Sequence, residues 1–233
     1  MSSGERCMAA VLLTVLAACA PRSLPVGRNS CAGAPTQLRE AWNQLQDARA
    51  GSQGCTGEMA GKCEHWRLEI DRLGQNCPAD HQGLLANAIL AYDDRQLGKA
   101  QQYLDNLLSL PAPGPEAVAL RARVAIEEGN LPFAMRLLRE QIRMNGDHAG
   151  LREVYASALF LTADYVRADE ELKAAERLGS PVWRVEYGRG LIAEGTKDWV
   201  EAKRHFEAAA KARPGWALPM ARVRAIDVAP GKN

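Results

Sequence analysis

Six cysteines and four histidines are the residues whose chemistry could dominate this chain of 233 residues, and every cysteine falls within its first 77 positions. Cys7 and Cys19 stand near the start. Cys31, Cys55, Cys63 and Cys77 follow, with 23, 7 and 13 residues between them. Structural zinc sites draw their thiolates from tight Cys-x2-4-Cys pairs. Although His65 and His81 lie close to Cys63 and Cys77, these spacings favour two disulfides over a metal, and four cysteines allow three pairings. His65, His81, His148 and His205 form no His-Glu-x-x-His ligand set. There is no Gly-x-Ser-x-Gly elbow and no phosphate loop, and the acidic pairs Glu127-Glu128 and Glu170-Glu171 are neighbours that point in different directions on a helix. No catalytic set, metal, cofactor or small-molecule substrate is therefore expected.

The elements that carry these residues are set by a period. Ala100, Ala134, Ala168 and Ala202 recur every 34 residues. Four positions after each comes a large apolar residue, Leu104, Leu138, Leu172 and Phe206; twelve before each comes a very small one, Ala88, Ala122, Ala156 and Gly190. Two small side chains facing each other let a pair of antiparallel helices approach closely, and the bulky residue one turn on fills the space towards the next pair. Asn130, Asp164 and Asp198 stand where helix N-caps are wanted, with Gln96 in that place in the first unit. Pro111 to Pro115, Asn145-Gly146, Gly179 to Pro181 and Pro214-Gly215 separate the units.

From Gln82 to Pro214 these columns resemble the tetratricopeptide repeat, with its period of about 34 residues and its small residue…Ala-x3-Phe…Pro pattern. The family's early tryptophan is missing, and its terminal proline is in place only at Pro214. The resemblance implies an all-α fold, a right-handed superhelical solenoid of helix hairpins, with four repeats over residues 81–214 and a capping helix over 215–228. In the capping helix, Trp216, Met220 and Val223 form the expected buried stripe, and residues 229–233 form a tail. Charge is nearly balanced, with 29 Lys and Arg against 28 Asp and Glu. No basic run stands out, so nucleic acid is not an expected partner.

Residues 1–18 read as an export signal, with Arg6 in a short polar start and Met8 to Leu16 as the apolar core. The core runs into Leu16-Ala17-Ala18-Cys19, which resembles the lipobox of bacterial lipoproteins. That resemblance implies cleavage before Cys19 and lipids on it; the alternatives are an ordinary secretory signal, an uncleaved anchor and an accidental match. Ala20 in place of an acidic residue leans towards the outer membrane, facing the periplasm. Residues 19–35, rich in Pro, Gly, Ser and Arg, read as a lipidated flexible tether.

Residues 36–80 are expected to form a helical hairpin that is a degenerate repeat, stapled by the cysteines in an oxidising compartment. Leu38, Trp42 and Leu45 give one apolar stripe and Trp66, Ile70 and Leu73 a second, with an enlarged turn between Gly51 and Gly61. In such a hairpin the outer ends meet and the turn closes on itself. That leans towards the nested pairing, Cys31 with Cys77 and Cys55 with Cys63.

With catalysis unsupported, function is expected on a surface. In the repeat family the first helix of each unit lines a groove. On the first helices this predicts a track of Tyr92, Ile126, Phe160 and Tyr187 flanked by Arg123 and Arg184, with Leu191 beside it. Such a track suits a protein or peptide partner held by aromatic anchors. The resulting expectation is a lipid-anchored, periplasm-facing scaffold for an envelope machine: a pilus, a secretion system or outer-membrane assembly. The alternative is a recruiter for polysaccharide export or cell-wall enzymes.

Overall fold

A computed structural model describes residues 31, 33–51 and 54–228. The expected export signal, the lipidation site Cys19, most of the tether and the tail at 229–233 lie outside the described residues. Within them are eleven α-helices arranged as consecutive antiparallel hairpins: α1 (Ala34–Ala50) with α2 (Ala60–Asn76), α3 (His81–Asp93) with α4 (Leu97–Leu108), and α5 (Pro115–Glu127) with α6 (Leu131–Met144). Then come α7 (Ala149–Leu161) with α8 (Tyr165–Arg177), α9 (Val182–Gly195) with α10 (Trp199–Ala212), and the single helix α11 (Ala217–Asp227). The chain is an all-α solenoid of helical hairpins.

The repeat columns are the core. Ala100, Ala134, Ala168 and Ala202 are all fully buried, as are Leu104, Leu138 and Phe206; Leu172 is nearly so. One exchange inside the columns explains itself by volume. The small residue is alanine in the three units whose large residue is leucine, and glycine in the unit whose large residue is Phe206. A Cβ at Gly190 would lie 2.6 Å from the Phe206 ring, closer than any side chain tolerates. The helix starts follow the cap column: Asn130, Asp164 and Asp198 accept hydrogen bonds from the backbone N–H of Phe133, Arg167 and Glu201 at 3.3, 3.3 and 3.1 Å.

At the N-terminal end, α1 begins at Ala34, inside the span assigned to the tether. Pro35 lies in its first turn, where a missing N–H costs nothing and the fixed φ favours a helix. A proline that reads as tether composition is here a helix start. Leu38, Leu45 and Ile70 are fully buried between α1 and α2, with Trp42 and Trp66 packed against them. Cys31 is bonded to Cys77 and Cys55 to Cys63, with Cα separations of 5.7 and 5.8 Å. The first bond ties the entry of α1 to the residue after α2, and the second closes the turn, including the 3-10 turn Gly57–Met59, onto the first coil of α2.

At the other end, α11 occupies the place of a first helix in a fifth unit, and no second helix follows it among the described residues. Its buried stripe is Pro219, Val223 and Ile226. This corrects the expected stripe: Val223 belongs to it, but Met220 is 36 % exposed, and Trp216 is the N-cap residue whose ring turns elsewhere. The fifth-unit counterpart of Ala88, Ala122, Ala156 and Gly190 is Arg224, which is exposed. Where the four repeats have a small side chain, α11 has a solvated cation, which makes its outer face polar at that position.

Candidate functional site

The first helices of the hairpins present one face into a common cleft of about 630 Å³. Six of the seven groove candidates line it: Tyr92, Arg123, Ile126, Arg184, Tyr187 and Leu191. Phe160 does not. It sits in the last turn of α7, where its ring lies 5.8 Å from that of Tyr165 at the start of α8 and packs against the core shared by α5 to α8. The aromatic track is therefore interrupted in its third unit, and the place there is taken by Glu153 and Ser157 of α7.

Two residues that the period did not bring forward complete the far end. Trp183, in the first turn of α9, and Trp216, at the start of α11, meet edge to face with ring centroids 5.0 Å apart. Tyr187 lies 4.8 Å from Trp216 and 5.4 Å from Phe206, so the three-ring corner rests on the core of the last hairpin. Two guanidiniums lie over Trp183, Arg213 at 4.3 Å and Arg184 at 5.0 Å.

Charged groups are placed in pairs along the cleft. Glu153, 8 % exposed, holds Arg184 at 3.1 Å and Arg123 at 3.6 Å through one carboxylate oxygen, linking three consecutive hairpins. Glu127 pairs with Arg95 at 2.7 Å and accepts a hydrogen bond from the Tyr92 hydroxyl. Burial, followed by the Glu127 hydrogen bond and charge, pushes the Tyr92 phenol up to about 12; burial and Asp71 do the same to Tyr103 on α4. Both phenols hold their protons more tightly in the folded state than at the ordinary value of 10.0. Their contribution is thus fully present below pH 10 and is lost as pH rises from there towards 12. An ultraviolet titration of the five tyrosines is expected to show a late-ionising class, and Tyr92→Phe should remove one member of it. A single transition at the ordinary value would contradict the assignment.

Among the described residues, no group of three or more His, Cys, Asp or Glu side chains is placed to hold a metal ion. A second, more apolar hollow of about 370 Å³ lies between α1 and α3, lined by Leu38, Trp42, Leu85 and Ile89 among others.

A periodic stack of short hairpins with a cleft along its first helices is a solenoid fold of the kind that tetratricopeptide-repeat proteins have. The comparison with solved structures agrees. The chain is similar in fold to a thermophilic TPR protein of Thermus thermophilus, with a TM-score of 0.64 and 14 % identity over 82 % of this chain and 97 % of the other. It is also similar to a tetratricopeptide repeat protein of Parabacteroides merdae, with a TM-score of 0.60 and 17 % identity over 82 % of this chain and 78 % of the other. No family model matches the sequence, and no curated protein matches it. What is shared with these structures is the fold.

Proposed function

We propose that this chain is a non-catalytic scaffold that binds a segment of another protein in the cleft of its first helices. We further propose that lipids on Cys19 hold it at the periplasmic face of the outer membrane, where it helps to assemble an envelope machine such as a pilus, a secretion system or the outer-membrane assembly apparatus. The observation that carries the scaffold reading is the convergence of Tyr92, Ile126, Tyr187 and Leu191 with Arg123 and Arg184 on one cleft. Half-buried aromatic and aliphatic side chains beside fixed arginines are what recognition of a partner chain requires. The anchor rests on the sequence Leu16-Ala17-Ala18-Cys19, and several acyl chains hold a protein where one would bind only marginally.

The test is in-cell photocrosslinking from Tyr92, Ile126 and Tyr187, with Val166 and Val200 as controls. Those two valines are 74 % and 77 % exposed on the second helices α8 and α10. One envelope protein is expected to be trapped from the cleft and not from the controls. Equal trapping from both sets, or none from the cleft, would overturn the scaffold reading. Cys19→Ala is expected to release the protein from the membrane fraction, and a variant that stays lipidated and bound would end the anchoring proposal.

A further inference from the structure

The cleft is unevenly charged. Towards its N-terminal end Glu127 is matched by Arg95 and capped by the Tyr92 hydroxyl. Towards its C-terminal end two guanidiniums, those of Arg123 and Arg184, share one carboxylate oxygen of Glu153, and a third, that of Arg213, stands beside them against the cleft's two indole rings. Arg213 pairs with no carboxylate among the described residues. Its guanidinium lies 4.3 Å over the Trp183 ring and 5.7 Å from the centre of Trp216. Stacking occupies the face of a guanidinium and leaves the N–H donors around its edge, so such a cation is held in place while its hydrogen bonds are unspent. The surrounding wall is apolar: Tyr187, Leu191 and Leu218 continue from the two indoles.

A ligand that satisfies this corner needs a carboxylate for the edge of Arg213 and Arg184, and an apolar side chain beside it for the Trp183, Trp216 and Tyr187 rings. We infer that the segment recognised at the C-terminal end of the cleft is an acidic peptide, its acidic residue on the two arginines and a neighbouring apolar residue on the rings. This deepens the scaffold reading and rests on it. An acidic polysaccharide would offer the carboxylate but not the apolar side chains that Ile126, Leu191 and Leu218 are placed to cover. The excess of cations also predicts faster capture at low salt and weaker binding as salt screens the corner.

The experiment measures fluorescence anisotropy of the full chain with short dye-labelled peptides built from Glu and Leu, Lys and Leu, Ser and Leu, or Glu and Ser, with polygalacturonate as a competing acidic glycan. The Glu and Leu peptide is expected to bind best, about tenfold more weakly to Arg213→Gln, and more weakly again in high salt. Arg213 is exposed, so this variant leaves the core intact, and circular dichroism would verify it. Equal or tighter binding of the Lys and Leu or Ser and Leu peptide, or unchanged affinity in Arg213→Gln, would overturn the inference. If the Ser and Leu peptide binds best and loses its affinity in Ile126→Arg, the cleft still binds peptides and only the acidic assignment falls. If no peptide binds, both readings fall. If polygalacturonate displaces the Glu and Leu peptide through Arg213, and the Glu and Ser peptide binds as well as the Glu and Leu one, the occupant is a polyanion and the peptide assignment is wrong.

Discussion

Phe206→Ala is expected to destabilise the protein by about 3–5 kcal/mol, the range for truncating a buried phenylalanine where the surroundings collapse only partly. Phe206 is fully buried among Ala193, Ala202, Val223 and Ile226, and its ring lies against Gly190, the one position where the repeat gave up a Cβ to make room. Collapse is hindered on the side of Ala193, Ala202 and Gly190, which have no length to move inwards. In a solenoid each hairpin touches only its neighbours, so the loss should be local. Hydrogen exchange is expected to speed up in α9, α10 and α11 and to stay near its normal rate in α3 to α6. A uniform acceleration, or a loss below about 1 kcal/mol, would contradict this packing. The variant should also loosen the aromatic corner, since Tyr187 rests on Phe206.

Removing the Cys31–Cys77 bond by a double serine substitution is expected to cost about 4 kcal/mol, and removing Cys55–Cys63 about 2–3 kcal/mol. The difference comes from loop size: the first bond spans 46 residues and the second 8, and a longer closed loop takes more freedom from the unfolded chain. Denaturant melts of the two double variants would order them. An equal or reversed order would show that native contacts around the bonds, and not chain entropy, set their worth.

The parts legible in sequence were those where a side chain has a steric task in every unit. Ala134 or Leu138 can be replaced by little else, so their period survives divergence. Other repeat features left no mark. Arg95, Ala163 and Lys197 occupy the left-handed region, with φ of 62, 59 and 64°, at the repeat position where the second unit has Gly129. The backbone makes the same turn in each of the four hairpins from α3 to α10, but only one residue advertises it, because packing on both sides holds a conformation that costs about 1–2 kcal/mol for a residue with a Cβ. The cleft was legible where helical faces transfer by the period, as for Arg123 and Leu191. Phe160 failed the transfer because its ring finds an aromatic partner, Tyr165, across the turn. Trp183 and Trp216 were missed because their corner is built at the end of the stack, between α9 and the turn into α11, where periodicity has no next unit to speak for it.

The bond between Cys31 and Cys77 has a mechanical consequence. A pull on the chain preceding Cys31 enters the folded body at that residue and passes through the sulfur bridge to Cys77, directly ahead of the first full repeat. The covalent path leaves out α1, the 3-10 turn and α2, so these elements bear none of the tension and their hydrogen bonds are not stretched by it. The N-terminal hairpin is thus the part of the solenoid least exposed to such a load, and a tug that would otherwise peel α1 away is delivered to α3 and the stack behind it.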